Sequence, residues 1–369
     1  MVKTFGVIGG GQLARMMITP AQQLGFEIKV LAESEDSSAQ LATSQVGDYT
    51  DLDTVRKFAE TVDVITFDHE HVPIRILESL EAEGFNVQPS SKALTFAQNK
   101  LLMRERLAEL GLPMPRWKAV RSIQEISDFL AEVGGSAVLK TPTGGYDGKG
   151  VMFLTDASQA TGWFEQFEVL LVEEKVEFVR ELAQLSARSV SGEWLSWPVV
   201  QTVQKNGVCS EVLSPAPNAD LEQAANIARA IAQGLSVTGV LAVEMFETAD
   251  GRLLINELAM RPHNSGHFSI EGSITSQFEQ HLRAVADLPL GAISPTKNFA
   301  VMLNLLGVDE SNHFVEHFDK ALTVPGAHVH TYGKSARKGR KMGHITALSD
   351  QSIAEAMDIA LAAKQALHA

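Results

Sequence analysis

The residues best placed to do chemistry begin with AVLKTPTGGYDGKG, residues 137–150, where an apolar strand ends on Lys140 and runs into a glycine loop carrying Lys149. Gly144, Gly145, Gly148 and Gly150 remove the side chains that would keep a backbone from wrapping an anion. Such a loop turns amide N–H groups toward phosphate oxygens while the lysines neutralise charge. It is not a Walker A loop: Thr143 stands where the first glycine of G-x-x-x-x-G-K-[ST] belongs, and Gly150 replaces the hydroxyl residue.

Glu244 lies within the strand VLAVEMF and Glu257 closes RLLINEL. On adjacent strands these carboxylates, with the amide of Asn256, would form a hard oxygen site suited to magnesium bridging to phosphates. A carboxylate set in LAVEMF is costly to bury without a cation or donor beside it. Arg261, His263, Asn264, Ser265 and His267 follow at once in AMRPHNSGH, a concentration of donors suited to a small anion or a phosphoryl intermediate. His263 and His267 lack a third nitrogen or thiolate at zinc spacing. Glycine loop, carboxylates and Arg/His cluster together point to ATP.

Other segments add to the set. Glu173, Glu174, Lys175 and Val176 end the strand VLLVEEKV, where backbone groups can read adenine and a carboxylate can hold ribose; Glu181 is a second ribose candidate. In DHEH, extended alternation puts Asp68 and Glu70 on one face, His69 and His71 on the other. YGKSARKGRKMGH holds Lys334, Arg337, Lys338, Arg340 and Lys341 without an acid, which fits either a solvated hairpin or a clamp for a phosphate monoester. GGGQLA, residues 9–14, follows a strand and fits G-x-G-x-x-A, with Glu33 ending the next strand. The turn suits a dinucleotide pyrophosphate, or a substrate phosphate with Gln12 as donor.

These residues need scaffolding. At 369 residues, with 45% hydrophobic and 21% charged content, the chain predicts two or three packed globular units. A net charge of −14 excludes a nucleic-acid surface, and no apolar run is long enough to span a membrane. Cys209 is the single cysteine, so no internal disulfide forms; it reads as a small strand residue in a cytoplasmic protein. The first part alternates strand and helix, predicting a parallel sheet covered on both faces. One long helix is expected over residues 91–110, capped by Ser90 or Ser91. Pro113 and Pro115 then open a smaller unit of strands at 117–120, 137–140 and 151–154 with a helix over 123–133. Further strands are expected at 183–190, 198–203, 239–246 and 253–257, then a strand, a hairpin and a closing helix over 352–367.

Taken together, GVIGGGQLARM, TFDHEHVP, QNK, KTPTGGYDGKG, LVEEKV, INELAMRPHNSGH and YGKSARKGRKMGHIT resemble, in order and over essentially the whole chain, the ATP-grasp carboxylate–amine ligases. Within them the match is to the N5-carboxyaminoimidazole ribonucleotide synthetase branch of purine biosynthesis. The resemblance implies an α/β (α+β overall) ATP-grasp fold: a Rossmann-like parallel-sheet domain (1–93), an ATP-grasp domain (94–292, lid about 116–177) and a small β-rich C-terminal domain (293–369). It implies ATP and Mg2+, with Mn2+ as an alternative, and bicarbonate and aminoimidazole ribonucleotide as substrates. A homodimer and hand-off of product to a downstream mutase are further implications.

Carried over, Lys100, Lys140 and Lys149 contact phosphates under a lid of Gly145, Tyr146, Asp147, Gly148 and Gly150. Glu173 to Val176 and Glu181 hold adenine and ribose, Asn256 joins the nucleotide site, and Glu244 and Glu257 hold the metal. Tyr146 and Asp147 face the ribonucleotide, whose phosphate meets Lys334 and Arg340 with help from Gln12. Arg261, His263 and Asn264 gather around bicarbonate. Asp147 and His263 are both candidates for the base that takes the amine proton. The chain departs from the family pattern at Asp68 (usually Glu), at Ala14 (usually Gly) and at Gln204, a nucleotide-side position often held by histidine.

Overall fold

The computed structural model describes residues 2–145, 150–205, 207–308 and 317–367. Strands β1 (Thr4–Ile8), β2 (Glu27–Ala32), β3 (Thr43–Val46) and β4 (Val64–Phe67) form a parallel sheet in the order β3-β2-β1-β4. Helix α1 (Gln12–Gln23) leaves β1 through the glycine turn and turns Leu13, Ala14 and Met17 into the core. There they meet Phe5, Val7 and Val30 from the sheet and Phe278, Leu282 and Val285 from the later helix Gln277–Val285. Fully burying side chains of this size contributes about 1.5–3 kcal/mol each, so this shared core fixes the first unit on the central one. β3, sequence TSQV, was not anticipated, because too little of it is apolar for a strand pattern.

The lid unit is an antiparallel sheet of β5 (Trp117–Val120), β6 (Ala137–Lys140), β7 (Val151–Leu154) and β8 (Leu170–Glu174), in the order β5-β8-β6-β7. Ile126, Phe129 and Leu130 of the helix Ile123–Glu132 cover it, with Val120, Leu139 and Leu170 beneath.

The large sheet joins β9 (Phe178–Arg188), β10 (Trp194–Ser196), β11 (Val200–Lys205), β12 (Val208–Ser214), β13 (Gly239–Thr248), β14 (Leu253–Ala259), β15 (Phe299–Leu306), β16 (Ala327–Thr331) and β17 (Lys341–Ser349). The order is β14-β13-β9-β11-β12-β15-β17-β16, with β10 on β9. Because β15 pairs with β12, the C-terminal strands continue the central sheet rather than building their own. The closing helix Ile353–Ala366, capped by Ser352, seals that end over Val301, Leu303 and Ile345.

The single helix expected over 91–110 is two. Asn99 adopts extended backbone (φ −123°, ψ 106°), ending Ser91–Gln98, and its side chain accepts from Leu101 and Leu102 N–H to start Lys100–Glu109. Asparagine competes with the helix through this local bond. The break also lets the Lys100 N–H reach the Pro142 carbonyl at 2.8 Å, which turns Lys100 toward the glycine loop.

Candidate active site

Glu244 on β13 and Glu257 on β14 are direct register partners. The next pair is Met245 with Ile255, so Asn256 is an extra residue on β14. Regular alternation would send Asn256 and Glu257 to opposite faces; the bulge lets both serve one site. The Asn256 Oδ1 accepts from Lys140 Nζ at 3.0 Å, and Glu257 lies 3.4 Å from Lys100 Nζ.

A fully buried guanidinium holds the bulge. Arg104 donates to the carbonyls of Ile255 and Asn256 at 3.0 and 2.8 Å, and its Nε to Glu173 Oε1 at 2.5 Å. The other Glu173 oxygen pairs with Lys140 Nζ at 2.6 Å. Burial alone would raise the Glu173 pKa, but the charges of Arg104 and Lys140 outweigh it and bring it down to about 2. The side chain expected at adenine and ribose therefore has one oxygen engaged by Arg104 and the other by Lys140. Arg104 was missed; the signal was a charged residue between Met103 and Leu107 on the buried face of its helix.

The rest of the nucleotide set is dispersed around this centre. Glu174 is clamped by Arg116, whose Nε donates at 2.7 Å. Lys175 is exposed and pairs with Glu177; with Val176, Thr248 and Leu254 they line a cleft of about 310 Å3. Glu181 is raised by burial, offset by a hydrogen bond from Gln204, so Gln204 has a partner within the chain. Gly145 offers its carbonyl to Lys100 Nζ, and Gly150 takes φ +69°, where a Cβ would lie 2.5 Å from Thr141 Oγ1. Tyr146, Asp147, Gly148 and Lys149 lie outside the described residues.

Arg261 meets an acid from the first unit. Glu70 accepts from its Nε at 2.6 Å and from the Met260 N–H at 3.1 Å. His263 sits at the mouth, its Nε2 3.4 Å from Glu244 Oε1, while Nδ1 faces the Ser265 hydroxyl at 2.9 Å and the Ser265 N–H at 3.4 Å. Burial, then Arg261 and Lys341, push its pKa down to about 3. The ring is neutral, and a backbone donor at Nδ1 puts its proton on Nε2, toward Glu244. Asn264, expected at bicarbonate, forms a reciprocal amide pair with Asn304 at 3.0 and 2.7 Å. Cys209 is half-buried, and burial raises its thiol to about 12, in keeping with a strand residue.

In the glycine turn, Gly10 N–H donates to Glu33 at 3.2 Å and Ala14 N–H to Asp68 at 2.7 Å, so the chain's own carboxylates occupy two of its donors. A Cβ at Gly11 would lie 1.9 Å from Asp68 Oδ2. Gln12 points elsewhere and accepts from Lys334 of the C-terminal hairpin. Arg340 folds onto Ser335 through two 3.0 Å bonds.

The carboxylate pair fits a divalent cation. Burial, then Glu257 and Glu181, push Glu244 up to about 8, although a third of its side chain still meets solvent. Among the described residues no group of three or more His, Cys, Asp or Glu side chains forms a cation cage. A two-carboxylate site of this kind suits magnesium, which takes its remaining ligands from water and phosphates.

Three family models cover this architecture: the ribonucleotide synthetase preATP-grasp domain over 2–98, the ATP-grasp domain over 105–278, and the phosphoribosylaminoimidazole carboxylase C-terminal domain over 300–357. The N5-carboxyaminoimidazole ribonucleotide synthase of Corynebacterium ammoniagenes is 46% identical, over 97% of this chain and 90% of its own. The chain belongs to the N5-carboxyaminoimidazole ribonucleotide synthase family. The Mycobacterium tuberculosis synthase is 48% identical, over 93% of this chain and 82% of its own. Among solved structures, the Thermus thermophilus synthetase matches with TM-score 0.88 at 35% identity, covering 98% of each chain. The Aspergillus clavatus synthase in complex with ADP and 5-aminoimidazole ribonucleotide matches with TM-score 0.90 at 30% identity, covering 100% of this chain and 99% of that one. This family member is an ATP-dependent ligase. Among the described residues no helix is long and apolar enough to cross a membrane.

Proposed function

We propose that this protein carboxylates 5-aminoimidazole ribonucleotide with bicarbonate at the expense of ATP, giving N5-carboxyaminoimidazole ribonucleotide, ADP and phosphate. The observation that carries the reading is the meeting of Glu244 and Glu257 beside Lys100 and Lys140, with Arg261 and His263 at the mouth.

Bicarbonate is a poor electrophile. Its oxygen attacks the γ-phosphorus, the bond to the ADP oxygen breaks, and carboxyphosphate forms. Lys140, held by Glu173 and Asn256, and Lys100, held by Glu257, offset charge on the phosphates without reorganising. Glu244 and Glu257 would hold magnesium, which supplies charge neutralisation at the phosphate oxygens when bound. Arg261, fixed by Glu70, faces the bicarbonate and carboxyphosphate anions. The exocyclic amine then takes the carboxyl carbon, directly or as CO2 released in the closed site, and phosphate leaves. Its proton goes to Asp147 or to His263. Lys334, Gln12 and Arg340 would receive the substrate phosphate. Closure of the 145–150 loop would exclude water from the intermediate.

Homodimerisation and hand-off of product to a mutase belong to this reading on the strength of the resemblance alone, and a cytoplasmic setting on the single cysteine, Cys209. Coupled ADP release with paired substrates tests the function. Turnover with bicarbonate and aminoimidazole ribonucleotide is expected; turnover only with formate and glycinamide ribonucleotide would make the protein a transformylase instead.

A further inference from the structure

The segment that carries His263 is gripped by one side chain of the helix Gln277–Val285. His263 has extended backbone (φ −125°, ψ 153°) beyond the end of β14, just before the short turn Asn264–Gly266. Buried backbone groups outside a sheet need partners from elsewhere. Gln277 supplies them: its Oε1 accepts from the His263 N–H at 2.8 Å, and its Nε2 donates to the His263 carbonyl at 2.8 Å and to His267 Nδ1 at 3.0 Å. A backbone N–H on Oε1 lets the amide stand only one way round, and both Nε2 hydrogens are then used. Gln277 is fully buried. Its own N–H donates to Ser269 Oγ at 2.9 Å, and that hydroxyl donates to the Gly266 carbonyl at 2.6 Å. A Cβ on Gly266 would lie 2.4 Å from Gln277 Oε1, so the turn comes too close to the amide for a side chain there.

One turn on, Gln280 makes a clamp of the same kind. It too is fully buried, donates from Nε2 to the Gly291 carbonyl and accepts from the Gly291 N–H, both at 2.8 Å. The two glutamines differ in what they grip. Gly291 has no side chain, whereas His263 presents its Nε2 3.4 Å from Glu244 Oε1. Bonds to both peptide groups of one residue fix the direction of its Cα–Cβ bond, and with it where the ring can reach. A displacement of about 1 Å at a reacting group costs on the order of 100-fold in rate.

We propose that Gln277 is a positioning residue for the carboxylation, holding the His263 imidazole at Glu244 through the two backbone groups of His263. The proposal rests on the reading that His263 serves the bicarbonate and the amine. A Gln277 that only secured its helix to the neighbouring turn would be equivalent to Gln280.

Steady-state ADP release and nitrogen-15 spectra of the labelled imidazoles separate the two roles. Gln277→Met, similar in length but without the amide, is expected to lower kcat about 10- to 100-fold, to leave the KM for ATP within about 3-fold, and to move or broaden the His263 Nε2 signal. Gln280→Met is expected to lose comparable stability in urea and to leave kcat and that signal unchanged. Gln277→Asn withdraws the amide by one methylene; it should act in the same direction, and it stands in if Gln277→Met does not fold. Equal kinetic losses in the Gln277 and Gln280 variants, an unchanged kcat in Gln277→Met, or an unmoved His263 signal beside a lowered kcat overturns the proposal. Failure of both Gln277 variants to fold makes the clamp structural and overturns it too. Native turnover only with formate and glycinamide ribonucleotide removes the functional reading alone, and the two glutamines are then compared on that reaction.

Discussion

Glu244 and Glu257 face each other across an antiparallel pair, and one extra residue, Asn256, bulges from the strand beside them. Burial, and then repulsion from Glu257, push Glu244 up to about 8. A divalent cation relieves this repulsion, and a ligand that binds only the folded state at 100 times its Kd stabilises by about 2.7 kcal/mol. Magnesium with ADP should therefore raise the Tm of the native protein, and Glu244→Gln or Glu257→Gln should lose most of the rise. Glu257→Ala should abolish ADP formation while the circular dichroism of the fold persists. Equal magnesium shifts in all three proteins would remove the metal role.

Arg104 and Glu173 form a buried pair on which Lys140 also depends. Glu173→Gln leaves two buried cations without their anion, and a loss of about 3–5 kcal/mol in urea unfolding near neutral pH is expected. The acid response should change too. The Glu173 pKa is about 2 in the fold against 4.5 ordinarily, so its contribution is complete above 4.5 and disappears as pH falls through 2. The native protein should lose stability across that window more steeply than Glu173→Gln. Parallel slopes would show that Glu173 is not ionised in the fold.

His263 is expected to stay neutral, with its proton on Nε2, from about pH 5 to 8, because burial and the cations Arg261 and Lys341 oppose a second proton. Nitrogen-15 spectra of the labelled imidazole check this directly. An imidazolium signal near pH 6 would contradict it.

Glu70 reaches from the first unit to fix Arg261. Glu70→Ala should raise the KM for bicarbonate about 10- to 100-fold, the scale of one charge-assisted contact, and change the KM for ATP by less than about 3-fold. Steady-state ADP release against each substrate measures both. An ATP-selective defect would place Arg261 at the nucleotide instead.

Much of the site was legible in the chain because its chemistry is local. GGYDGKG announces a glycine loop, NEL and VEMF announce carboxylates, and the alternation of DHEH sends Asp68 to the Ala14 N–H and Glu70 to Arg261 while His69 stacks on His71. Three decisions needed tertiary structure. Alternation cannot show that Asn256 and Glu257 serve the same site, because the bulge that allows it depends on β13 and on Arg104, 152 residues away from Asn256. Two donors of the glycine turn, the Gly10 and Ala14 N–H groups, look free until Glu33 and Asp68 fold onto them. The cut at Asn99 is local, but the direction it gives Lys100 depends on a carbonyl at Pro142. Residue type sets what a group can do chemically; which partner satisfies it is settled by contacts between distant segments, and those exist only once the sheets have packed.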